Sequence, residues 1–275
     1  VLQSALPDLL EHGDGQTVSV REFLGDLLRR LGELRPAAEQ YLLAAEVTKG
    51  WEDPRPQASL AQSAADVLND AGLAEESVAA YERALELHRR TGADPVAEVR
   101  VLRSLAWLGL REEITAATVD GARGRMGEAA AVLEAALAAD PGAPALRSEL
   151  AQTWHQLAQV LDRYVSTALP AAGDASTGPA PLSPAEVDAL RLEEIELWDR
   201  AGRTYAELSP GHLRDRFQCL NNAAWTEQER DDAEAAAARV SALIEEARGL
   251  PEDEAPDWLL PSAERLLEQL NSRNR

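Results

Sequence analysis

Residues 18–44 read VSVREFLGDLLRRLGELRPAAEQYLLA, in which Leu24, Gly25, Leu28, Gly32, Ala37, Tyr41 and Ala44 set large against small at helical spacing. Residues three and four apart share one face of a helix, so Leu24, Gly25 and Leu28 form one stripe and Ala37, Tyr41 and Ala44 a second. Two stripes on two short antiparallel helices make a packed pair. Gly25, Ala37 and Ala44 are small where the axes must approach, and Leu28 and Tyr41 fill the space beside them, which gives a dense interface. Gly32 stands where the first helix should end, and Pro36 falls in the first turn of the next.

The pattern returns with a displacement of 40 residues as Ala64, Ala65, Leu68, Gly72, Ser77, Tyr81 and Ala84, every interval kept. A pattern copied at fixed spacing marks a repeat protein. The order resembles the tetratricopeptide repeat, whose signature is W-x2-L-G-x2-Y, then A-x3-F and a later proline, on a helix-turn-helix unit of about 34 residues. The resemblance implies an all-α fold, a right-handed α-α superhelix of about five helix-turn-helix units closed by a C-terminal capping helix.

On this reading residues 1–275 form a single solenoid domain, with an N-terminal cap over 1–17, repeat units at 18–51, 58–91, 95–143, 144–207 and 214–248, and a capping helix over 256–272. The third unit shows Gly124, Ala129, Leu133 and Ala136 before Pro141, but the stretch from Pro95 to Asp120 is too long for one ordinary first helix. The fourth begins at Trp154, Leu157, Ala158 and Leu161, and its second helix waits until Trp198 and Ala201. Between them, residues 167–184 turn to Pro, Ala, Gly, Ser and Thr, which predicts a flexible insertion. The fifth unit carries Phe217, Leu220, Asn221 and Ala224, then Ala233, Ala237 and Val240, with Asn221 where glycine or alanine is usual. Trp258, Leu259, Leu260, Leu266, Leu267 and Leu270 supply the stripe that covers the last unit.

Composition agrees with helices: 45% of residues are hydrophobic and only 4% aromatic, with alanine and leucine supplying most apolar positions. The charge is one-sided, 48 acidic against 27 basic residues for a net −21, and Lys49 is the sole lysine. That balance argues against nucleic acid, which needs clustered Arg and Lys, whereas Arg83 sits between Glu82 and Glu86. The acidity serves solubility or attracts a basic partner. No apolar run approaches the ~18 residues needed to cross a bilayer, and Val1 to Leu10 lack the features of a secretion signal, so no membrane contact and a cytoplasmic location are expected. The chain opens on Val1 rather than Met, as a fragment of a longer protein would. Cys219, alone, is expected as a buried small residue.

Chemistry-bearing constellations are absent from the pattern. His12, His88, His155 and His212 are far apart, none at metal-ligand spacing, and are expected at the surface or in a groove. There is no G-x-S-x-G and no GxxxxGK[ST], and Glu193-Glu194 reads as part of a solvated helix face. Trp154, Trp198 and Trp225 read first as core. No enzyme activity, cofactor or metal is expected.

In proteins similar to this one, the first helix of each pair lines a groove that holds a peptide or a partner helix. Helical phase then selects Glu22 and Asp26 in unit one, Gln62, Asp66 and Asn69 in unit two, His155 and Gln159 in unit four, and Gln218, Asn222 and Trp225 in unit five. One end is acidic, with no lysine or arginine expected at the neighbouring positions, and the other is amide-rich. Two functions fit: a non-enzymatic scaffold that binds a polypeptide, possibly basic, or a ligand-sensing regulatory module. The second is suggested by Ala84 to Asp94, which resembles extended second helices in the repeat regions of large bacterial regulators. The pattern carries no signal for oligomeric state.

Overall fold

Eleven α-helices and no strand make up the described residues of the computed structural model, which are 15–92, 94–168, 182–208, 211–251 and 257–273. In chain order they are α1 (Gly15–Arg30), α2 (Leu34–Val47), α3 (Arg55–Asp70), α4 (Ala74–Thr91), α5 (Pro95–Gly109), α6 (Ala116–Ala139), α7 (Pro144–Ala168), α8 (Pro184–Ala206), α9 (Leu213–Glu229), α10 (Ala233–Gly249) and α11 (Leu259–Arg273). Residues 1–14 of the expected cap and 169–181 of the expected insertion lie outside the described residues. The chain divides into two compact units, Val1–Leu108 and Gly109–Arg275.

In the first unit α1 packs on α2, α2 on α3 and α3 on α4. Gly25 is small because Tyr41 lies on it: a Cβ at that position would sit 2.9 Å from the ring. Ala37 and Ala44 are fully buried, and Ala64, Ala65, Tyr81 and Ala84 reproduce the arrangement in the next pair. The turns are copies as well. Gly32 and Gly72 have φ of +80° and +76°, the left-handed conformation that only glycine adopts without strain. Around them Glu33 N–H donates to Leu28 C=O at 2.9 Å and Leu73 N–H to Leu68 C=O at 3.0 Å, while Gly32 donates to Arg29 and Gly72 to Asn69. These paired bonds satisfy the carbonyls that a helix end exposes, so the angle between the helices of each pair is fixed by the chain itself.

The stretch from Pro95 to Asp120 resolves into a 15-residue helix, α5, a break, and the start of α6. The break ends at Thr115, whose hydroxyl accepts from Thr118 N–H at 3.2 Å while Thr118 Oγ1 accepts from Thr115 N–H at 2.9 Å. Asp120 thus lies in α6, beyond the break, which removes the excess length.

In the second unit successive helices from α6 to α11 pack in order. A reciprocal cap also opens α8: Ser183 Oγ accepts from Glu186 N–H at 3.3 Å, and Ser183 N–H donates to the Glu186 carboxylate at 2.7 Å. Phe217 and Ala224 of α9, Val240, Leu243 and Ile244 of α10, and Leu259, Ala263, Leu266 and Leu270 of α11 form one buried cluster. The amphipathic stripe of α11 covers α10 and α9, and residue 256 of the expected capping helix lies outside the described residues.

Candidate functional site

The groove-phase residues of the first unit lie on α1 and α3. Glu22 and Asp26 are exposed, and Gln62, Asp66 and Asn69 are half-buried. Most of the carboxylates have structural partners. The Tyr41 hydroxyl donates to Asp26 at 2.5 Å, the Tyr81 hydroxyl donates to Asp66, and Arg29 pairs with Asp70 at 2.8 Å. Arg29 corrects the expectation of an acidic strip without neighbouring cations. Burial raises the Asp66 carboxyl above its ordinary range, and the bond from Tyr81 opposes that rise. Gln62 Oε1 meets His88 Nε2 at 3.1 Å, and His88 is buried, not at the surface. Its imidazole is pushed down by burial, which the charges of Asp94 and Glu98 oppose.

In the second unit, His155 Nδ1 of α7 and Cys219 Sγ of α9 lie 3.4 Å apart, with the imidazole edge-on to Trp198 of α8 at 4.9 Å. A cysteine beside a histidine suggests a nucleophile, but the electrostatics point elsewhere. Burial pushes the Cys219 thiol up to about 12 and lowers the His155 imidazole, so near neutral pH the thiol keeps its proton and the ring is uncharged. The pair is an interhelical contact.

The other expected groove-phase residues of this unit lie on the same two helices. Gln159 is half-buried on α7, and α9 presents exposed Gln218, half-buried Asn222 and Trp225. Trp225 is 36% exposed, whereas Trp154 and Trp198 are 8% and 2% exposed, so the core assignment holds for two of the three tryptophans and fails for Trp225. Asn221 and Gln228 bracket Trp225 by one turn on either side, each with a buried carbonyl oxygen that has no hydrogen-bond partner among the described residues.

Glu194 corrects the solvated reading of Glu193-Glu194: its side chain is buried, 2% exposed. Its Oε1 accepts from Trp198 Nε1 at 3.0 Å and Thr226 Oγ1 at 2.8 Å, and its Oε2 from Arg191 at 2.6 Å. Arg191 also reaches Asp162 of α7 at 2.8 Å and Glu229 of α9. Burial raises the Glu194 carboxyl, and the charge of Arg191 opposes it. Arg239 of α10 similarly bridges Asp199 of α8 at 2.5 Å and Glu227 of α9 at 2.7 Å. These charges join α8 to α7 and α9, and α10 to α8 and α9. Among the described residues no group of three His, Cys, Asp or Glu is placed to hold a metal, and no helix is long and apolar enough to cross a membrane.

No protein-family model matches the chain, and no curated protein matches it in sequence. Solved structures do. BtubC (BKLC) from P. vanneervenii is similar over 98% of this chain and 88% of its own, at 16% identity and a TM-score of 0.60. A Signal Transduction ATPase with Numerous Domains (STAND) protein with a tetratricopeptide repeat sensor, from Pyrococcus horikoshii, is similar over 94% of this chain at 14% identity and a TM-score of 0.63. This chain spans about a third of that protein's length, 33%. The chain has the tetratricopeptide-like helical repeat fold.

Proposed function

We propose that this chain is a non-enzymatic interaction scaffold, and that the amide strip of α7 and α9 binds a segment of another polypeptide. The observation that carries this reading is the half-exposed Trp225 set among Gln218, Asn221 and Asn222 on a helix whose other faces are buried. Side-chain amides donate and accept at once, so they pair with an extended backbone regardless of its sequence, and an exposed indole adds a large apolar contact at little entropic cost. The net charge of −21 favours a basic segment, whose approach it would steer. In the first unit Asp26, Asp66 and Asp70 are engaged by Tyr41, Tyr81 and Arg29.

A photo-crosslinking residue at Gln218 tests the proposal, with the same residue at the exposed Leu192 of α8 as control. Capture of a polypeptide at 218 and not at 192, lost in Trp225→Ala, supports it; equal capture at both positions refutes it. A second reading, a ligand-sensing regulatory module, draws on the similarity to a protein that carries a repeat sensor. It requires a change in helix packing on binding, visible as altered small-angle scattering in the crosslinked complex.

A further inference from the structure

The two helix pairs of the first unit share one register, so every contact of the α3/α4 pair has an equivalent position, 40 residues earlier, on α1/α2. The α3/α4 pair meets α1/α2 by packing of α3 on α2, and on α3 Leu60 and Val67 are 4% and 0% exposed. Ion pairs ring the contact: Asp70 with Arg29 at 2.8 Å, Glu76 with Arg35 at 2.8 Å, and Arg83 with Glu46 at 3.5 Å. The equivalents on α1/α2 are Val20, Leu27, Arg30, Pro36 and Leu43, joined by Phe23 and Leu31 where α3 and its turn carry Ser63 and Ala71. On this pair the face is more apolar, with Val20 and Leu27 half-buried and Phe23 63%, Leu31 68% and Leu43 45% exposed. The last helix, α11, differs, since Glu264, Arg265, Glu268 and Gln269 make its exposed side polar.

A further helix pair of the same kind does not fit this face. Its counterpart of Arg29 would meet Arg30, and its counterparts of Arg35 and Glu46 would meet Pro36 and Leu43, which have no charge to offer. A copy of α1 does fit. Along one flank of the apolar stripe Glu22, Asp26 and Arg30 follow at one-turn intervals, acidic at one end and basic at the other, with Asp26 engaged by Tyr41. An antiparallel pairing about a two-fold axis near Asp26 sets each Arg30 against Glu22 of the other copy and joins the Phe23, Leu27 and Leu31 stripes.

We propose that this face is a two-fold interface through which two copies of the chain associate, α1 against α1. The contact is self-complementary, as closed dimers require. It forms against the mutual repulsion of two chains of net charge −21, so screening by salt tightens it.

Sedimentation velocity on the full chain, from about 1 to 100 µM and at about 0.05 and 0.5 M salt, is the test. The expected result is a species of twice 29.7 kDa that is favoured at the higher salt. Phe23→Glu/Leu31→Glu, at exposed positions, should give a monomer with an unchanged circular dichroism spectrum. Glu22→Arg and Arg30→Glu should each weaken the dimer by roughly tenfold, and the double swap should restore it. A monomer under all conditions overturns the proposal, as when the segment preceding α1 or an unrelated protein takes the face. So does a dimer that Phe23→Glu/Leu31→Glu leaves intact, or one that the double swap does not rescue.

Discussion

Tyr41 lies so close over Gly25 that a Cβ there would stand 2.9 to 3.1 Å from three atoms of its ring. The ring cannot swing away freely, because it is buried and its hydroxyl is tied to Asp26 at 2.5 Å. The second pair shows how much can be absorbed, since Ala65 occupies the position of Gly25 opposite Tyr81. Gly25→Ala should therefore be nearly neutral, the helix-propensity gain of about 1 kcal/mol offsetting a small ring displacement. Gly25→Val adds two more carbons against the ring and should cost about 2 kcal/mol, read as a lowered midpoint in urea.

Tyr81→Phe should make stability depend more steeply on pH. Burial holds the folded Asp66 pKa above its unfolded value, so the stability this group contributes is present below the ordinary Asp range and lost as pH rises through the raised pKa. Without the Tyr81 hydroxyl the carboxylate loses a donor, and its pKa rises further. The variant should lose about 1.5 kcal/mol at pH 7 and less as the pH is lowered toward about 4. Urea titrations at the two pH values check this, and an equal loss at both would contradict it.

Asp231 ends α9 with φ of +61°, donating to Gln228 C=O at 3.0 Å as Gly32 and Gly72 donate to Arg29 and Asn69 in the turns of the first unit. A Cβ in that conformation is strained by roughly 1–2 kcal/mol, less for Asp than for most residues. Asp231→Gly should stabilise the chain by about 0.5 kcal/mol, after the added freedom of the unfolded glycine is deducted. Gly72→Ala should destabilise it by about 1 kcal/mol. Thermal unfolding of both variants would show shifts of opposite sign.

Arg191→Met should leave Glu194 buried without its cation and cost about 3–5 kcal/mol. Replacing the carboxylate as well, in Arg191→Met/Glu194→Gln, removes the uncompensated charge and keeps an acceptor for Trp198 and Thr226. That double variant should recover part of the loss, and a strictly additive double variant would show that the two side chains are not coupled.

The repeat was legible because its signal is steric: Gly25, Ala37 and Ala44 are small only where helices touch, and the same sizes recur 40 residues later. The course of α5 was hidden because Leu110–Thr115 carries no Gly or Pro, and the break is made by the Thr115 cap. The state of the carboxylates was harder still to read. Helical phase places Asp26 and Asp66 on a groove side, but only the fold shows that tyrosines 15 residues on, Tyr41 and Tyr81, reach them. That repeated Asp-to-Tyr interval was the available signal. Glu194 looks like its neighbour Glu193 in sequence; its burial arises from Arg191, Trp198 and Thr226 converging from two helices. Trp225 departs from the core because α9 turns it outward while Cys219 and Thr226 face α7 and α8.

The reciprocal Ser183–Glu186 cap has a practical corollary. It starts α8 from the helix's own side chains, and Leu197, Trp198 and Ala201 then seat it within the second unit without reference to the path by which the chain arrived. The stretch between α7 and α8 is therefore a natural place to graft foreign sequence, such as an affinity tag, a protease site or a small fluorescent domain.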